Sequence, residues 1–270
     1  MKVAGVAAVL LGAATSTAIA DTGFLLPNAF QIDASGRVTA IASFSDRFPG
    51  VKHPLRSHDF HILSPIGERM SFDAIHELEQ MTALYATLDA PGVYRLSSGE
   101  RLGRKGQAAR LADGAYVRLG EDGIDPADLP EAATILTSQT ATVSEVYVRR
   151  GDVDTPKTLV TSGRLSLQLK ADKKGFRAAA PIRVSVHFDG APLAGAEISL
   201  VAPYGAYRHQ SDGVTLTLDE NGEATLAPES AGPHVILVRH IAKAPAGAET
   251  DLRSYSTALV FEIRSKDASD

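Results

Sequence analysis

Residues 57–61, Ser-His-Asp-Phe-His, put a hydroxyl, two imidazoles and a carboxylate into one short stretch. A metal site built there needs both imidazoles on one side of the chain. His58 and His61 are three apart, which shares a face on a helix, but the stretch has strand character, and on a strand they point to opposite sides. A hydrolytic triad does not follow either, because triad members meet through folding and not as sequence neighbours. Residues 204–213, YGAYRHQSDG, are the second concentration of chemistry. Tyr207, Arg208 and His209 join an amphipathic ring, a planar cation and an imidazole at what should be one end of a sandwich, where loops carry recognition. We take these three as the candidate ligand-binding loop; the competing reading is an ordinary long hairpin loop. The sequence has no nucleophile elbow, no HExxH and no phosphate loop. Asp219-Glu220 sits in a turn, and nothing places the second acid that glycoside hydrolysis needs. With no cysteine, thiolate chemistry and cysteine zinc sites are excluded. These residues describe a binding protein and not an enzyme.

The elements that must position them are strands. Residues 181–188, PIRVSVHF, alternate strictly, with Ile182, Val184, Val186 and Phe188 on one face and Arg183, Ser185 and His187 on the other. Asp189-Gly190 and Asn221-Gly222 are tight-turn dipeptides. Further short strands are expected at 196–202, 214–218 and 223–227, and 235–238 is the strongest apolar run. In the first half, strands are expected at 37–44, 59–63, 81–88, 93–96 and 141–150. Residues 72–80 read as a helical turn or irregular chain, 99–114 as a mobile basic loop or hairpin tip, and 125–130 as a turn. Strands at 163–170 and 255–263 open and close the second half. The pattern predicts an all-β fold of two tandem antiparallel β-sandwich, Ig-like domains, at 21–155 and 164–264. Residues 84–96 and 224–237 are alike, each a strand, a Pro/Gly-bearing turn and a strand, about 140 residues apart. That suggests two related units, or a likeness that any two β hairpins share.

Residues 1–20 carry one charge at Lys2, an apolar run at 3–11 and Ala18-Ile19-Ala20. This is the pattern of a cleaved secretory leader, with an apolar run too short to span a bilayer. The mature chain should begin at Asp21, in the periplasm. Without disulfides in an oxidising destination, its cores must hold by packing alone. A formal net charge of −5 with no basic run argues against nucleic acid as partner. The absence of tryptophan lowers the weight of a sugar-stacking platform.

Four stretches resemble, in order, a bacterial periplasmic family of unknown function whose members often accompany nickel/cobalt or TonB-dependent uptake systems. Residues 20–27 (ADTGFLLP) resemble its opening. Residues 48–56 resemble its loop ending in His-Pro-Leu. Residues 188–195 (FDGAPLAG), with 219–222 and 231–240, resemble its Ig-like C-terminal half, and 253–261 (RSYSTALVF) its closing strand. The resemblance implies a non-enzymatic periplasmic accessory protein, with nickel or cobalt as the ion handled. Its partner would be an outer-membrane TonB-dependent receptor or a metal transporter. The alternative is a carbohydrate- or protein-binding module working with such a receptor. His53 matches the family's loop histidine and His240 the position ending the strong strand, while the opening histidine is Asp21 here. His53, His240 and Asp21 are therefore the implied metal ligands, and a carboxylate in place of imidazole shifts such a site towards harder ions and lower affinity.

Overall fold

The apolar run Val235-Ile236-Leu237-Val238 explains the architecture. Val235 and Leu237 pack in one core with Phe24, Leu25 and Val148, whereas Ile236 and Val238 pack in a second core with Leu167, Val184 and Leu259. A strand buried on both faces has no polar face to present, so its apolar run is unbroken. The same holds for residues 258–261: Ala258 and Val260 belong to the first core, Leu259 and Phe261 to the second.

The computed structural model describes residues 21–120, 123–151, 159–170, 176–203 and 213–266. The expected leader, residues 155–158 of the expected boundary at 155–164, and Tyr207, Arg208 and His209 lie outside the described residues. What is described is all β apart from one 3-10 turn, Pro126–Asp128, in which the Ala127 amide donates to the Asp125 carboxylate. No described helix is long and apolar enough to cross a membrane.

The strands form three sheets. A central sheet of eleven strands runs Val214–Thr217, Glu197–Val201, Gly232–Lys243, Leu252–Ile263, Thr134–Arg150, Gly92–Ser97, His61–Leu63 and Arg69–Met70 in spatial order; Arg101–Arg110 lies beside the first half of Thr134–Arg150. One five-stranded outer sheet, ordered Thr22–Pro27, Arg37–Ser45, Thr82–Thr87, Ala74–Glu77 with His53–Pro54 at its margin, covers one face of the central sheet. The other outer sheet, built on Leu165–Lys170, Ile182–Phe188 and Glu223–Leu226, covers the opposite face. The result is two β-sandwiches with one layer in common. Pairing is mostly antiparallel. The main exception joins the halves: Thr134–Arg150 runs parallel to Leu252–Ile263 from Ser138↔Leu252 to Val146↔Val260.

Local chemistry behaves as its residue types require. Asp189 and Gly190 both adopt left-handed backbone, φ 52° and 80°, and close the hairpin between Phe188 and Ala191; two successive positive φ angles match the right-handed twist of the flanking strands. Two stretches depart from expectation. Residues 99–114 contain a ten-residue strand, Arg101–Arg110, paired on both sides. It escapes a periodicity reading because most of its length is exposed on both faces, so nothing selects alternation. Residues 72–80 contain the edge strand Ala74–Glu77, likewise largely exposed. The two similar units are not hairpins. Thr82–Thr87 and Glu223–Leu226 lie in outer sheets, while Gly92–Ser97 and Gly232–Lys243 lie in the central one. Each unit is an arch that carries the chain between layers, and the Pro/Gly turn is the arch.

Candidate functional site

The first outer sheet does not cover its whole face of the central sheet. Along Leu252–Ile263, Ala258 and Val260 lie beneath it, but Ser254 and Ser256, on the same face by the period of two, lie beyond it. Along Thr134–Arg150, Val146 and Val148 are covered and Thr140 and Thr142 are not. The uncovered part is a groove of about 830 Å³. Its floor is a ladder of hydroxyls in register, Thr140↔Ser254 and Thr142↔Ser256. Six basic side chains, Lys52, Arg56, Arg101, Arg104, Arg118 and Arg239, line it.

One row crosses four strands. Arg239 pairs with Ser256, Ser256 with Thr142, and Thr142 with Arg101. All four line the groove, so two hydroxyls sit between two guanidinium groups on one face. The Arg101 guanidinium lies 5.2 Å from the centre of the Phe44 ring. Burial first, and the repulsion of nearby Arg56 second, weaken Arg101's hold on its proton; an arginine so perturbed is still charged at any physiological pH. The rim is neutralised. Lys52 Nζ donates to Asp21 Oδ1 at 3.0 Å and lies 3.7 Å from Asp46 Oδ2, while Arg56 lies 2.6 Å from Glu77 Oε1. These contacts raise the Lys52 ammonium above its ordinary value and hold Glu77 below the usual carboxylate range.

Asp21 and His53 both line this groove. His240 does not join them. It follows Arg239 on the strand and so points through the opposite face of the central sheet, where its ring lies 4.7 Å from that of Phe188. There it belongs to a packed cluster in which Phe188 also meets Tyr255 at 5.1 Å, and Arg164 donates to Asp189 and to the Tyr255 hydroxyl. Among the described residues, no group of three or more His, Asp or Glu side chains is placed to hold a metal ion. The stretch at 57–61 is structural: His61 is buried, its Nδ1 donates to the carbonyl of Asp59 at 2.7 Å, and the Asp59 carboxylate bonds Arg69. The groove's arginines and hydroxyls carry a faint sequence signal. Ser254 and Ser256 alternate against Tyr255 and Thr257, which marks a strand whose second face is polar but not charged.

His240 and His234 are both held below the ordinary imidazole value by burial, offset in part by Asp189 for His240 and by the Gly232 carbonyl for His234. The unfolded chain therefore binds more protons than the folded one just below the ordinary value. The stability that these two neutral imidazoles contribute is fully present above about pH 6.5 and is lost as the pH falls below it. Denaturant unfolding at pH 7.5 and pH 5 should show that loss, and it should shrink in a His234→Asn, His240→Asn double variant. An unchanged pH slope in that variant would remove the two histidines as its cause.

The fold and site define a class: an all-β protein of layered β-sandwiches that presents an open polar groove. The chain belongs to the family described as a domain of unknown function, DUF4198, whose model matches residues 18–242. No curated protein matches. Among solved structures it is similar to trypsin-activated alpha-2-macroglobulin from Escherichia coli, at 13% identity and a TM-score of 0.26, over 90% of this chain and 16% of that one. It is also similar to the D0-D1 domain of Intimin (15% identity, TM-score 0.21, 88% and 96% of the two chains). A third is chicken CNTN1 FN1-FN3 (9%, 0.22, 91% and 99%). The chain thus spans about a sixth of the macroglobulin it matches.

Proposed function

We propose that this is a non-catalytic binding protein of the periplasm that holds its ligand in the groove beside the first outer sheet. It would serve as an accessory to an uptake system, with an outer-membrane TonB-dependent receptor or a metal transporter as partner. The observation that carries the binding reading is the groove itself: its volume of about 830 Å³ lies in the range of ligand sites, and its floor presents hydroxyl donors between cations. The accessory role and the location rest on the family resemblance and the leader-like start. Nickel or cobalt as cargo is the second reading, favoured by Asp21 and His53 sharing the groove.

Thermal unfolding with a panel of organic acids, neutral oligosaccharides, nickel and cobalt tests the site. The comparison is with Ser256→Trp, which fills the floor. A compound that raises Tm of the wild-type chain but not of the filled variant supports the groove. A panel in which nothing stabilises the wild type in preference to the variant overturns it. For nickel or cobalt, His53→Ala should abolish the gain and His240→Ala should preserve it, because the two lie on opposite faces of the central sheet.

A further inference from the structure

Resting on the groove as the ligand site, we infer that its ligand carries an oxyanion, a carboxylate or a phosphate, that seats on the row Arg101–Thr142–Ser256–Arg239. Neighbouring strands are about 4.8 Å apart, so three steps along the row put the end Cα atoms about 14 Å from one another. Both arginines line the same groove, one at each end of the two hydroxyl residues. Guanidinium forks match the paired oxygens of carboxylate and phosphate, and each bond so made is charge-assisted. The hydroxyls of Thr142 and Ser256 supply donors from beneath.

The charges around the groove divide unevenly in a way that favours an anion at this row. Lys52 is matched by Asp21 and Asp46, and Arg56 by Glu77. Arg101 is different: the groups that perturb it are burial and Arg56, with no carboxylate among them. Its guanidinium is drawn out of water and set over the Phe44 ring. A bound oxyanion would relieve both costs, because it supplies the missing opposite charge where water is already partly excluded and Coulomb interactions are less damped. A neutral sugar would leave Arg101 as it is, and a cation, a metal ion included, would be repelled.

The test is calorimetric titration of the folded chain with citrate and, separately, with inorganic pyrophosphate at low ionic strength. Saturable binding of citrate alone assigns a carboxylate ligand, and of pyrophosphate alone a phosphate. In either case the affinity should fall as sodium chloride is added. Arg101→Ala should weaken binding at least about tenfold, the loss of one charged hydrogen bond. Arg101→Lys, which keeps the charge but not the fork, should also weaken it. Lys105→Ala should not, because Lys105 is paired with Glu249 and does not line this groove. Circular dichroism and thermal melts check that each variant folds. Failure of the wild type to bind either anion saturably, or equal binding by Arg101→Ala and wild type, overturns the inference. If the Ser256→Trp variant still loses stabilisation by a neutral or metal ligand, the groove stands as the site and only its anion preference falls.

Discussion

Glu145→Ala should lower the unfolding free energy by about 3–5 kcal/mol, the usual result of removing one partner from a buried ion pair. Glu145 is completely buried. Its Oε1 accepts from Ser97 Oγ at 2.9 Å, Ser162 Oγ at 2.6 Å and the Ser162 amide at 3.2 Å, and Arg95 Nε lies 3.6 Å away. Arg95 also donates to the carbonyl of Val160, as does the Tyr147 hydroxyl at 3.0 Å. One carboxylate therefore ties residues 160–162, where the chain approaches the second sandwich, to the middle of the central sheet. In the alanine variant Arg95 loses its opposite charge and three donors lose their acceptor. Glu145→Gln keeps an acceptor oxygen and forfeits only the charge, so its loss should be smaller. Urea unfolding measures both, and an unchanged m value would show that the compact states are the same. A cost below about 1 kcal/mol for alanine, the level of an exposed pair, would mean that the cluster contributes little.

Ile236→Ala and Leu237→Ala come next, each expected to cost about 2–5 kcal/mol through the cavity left behind. The two residues are adjacent, yet they belong to different cores. Their comparison decides how the halves are coupled. Two independent units, 21–155 and 164–264, would each melt separately, so each variant would shift only one of two transitions. A common central sheet makes one transition that both variants shift alike, since the first core contains Val201, Val235, Leu237, Ala258 and Val260 from the second half. Coincidence of far-ultraviolet and tyrosine-fluorescence midpoints is the measure.

The sequence made the strands legible wherever one face is buried and the other wet. Residues 181–188 alternate because Ile182, Val184 and Val186 enter the second core and Arg183 faces solvent. It also marked both glycine turns. The groove was far less visible, because its floor is made by sheet order and not by local pattern. Thr142 and Ser256 are 114 positions apart and meet only through a parallel pairing. Arg101 lay in a stretch without alternation. Asp21 and His53 do reach the groove, but His240 falls on the wrong side of the sheet by a single residue: a strand sends neighbours to opposite faces, and Arg239 took the groove side. Tyr207, Arg208 and His209 lie outside the described residues.

The layer common to both sandwiches also sets the order in which the chain can fold. Neither core is complete until Ala258–Ile263 are in place, because the strand Leu252–Ile263 lies in the middle of the central sheet and feeds both. A chain emerging from the ribosome therefore cannot close its first sandwich while the second is being made, as a string of independent modules would. Its decisive contacts join residues more than a hundred positions apart, and such high contact order makes folding slow. Synthesis runs ahead of structure, and the chain stays open until Leu252–Ile263 arrives to lock the three layers together.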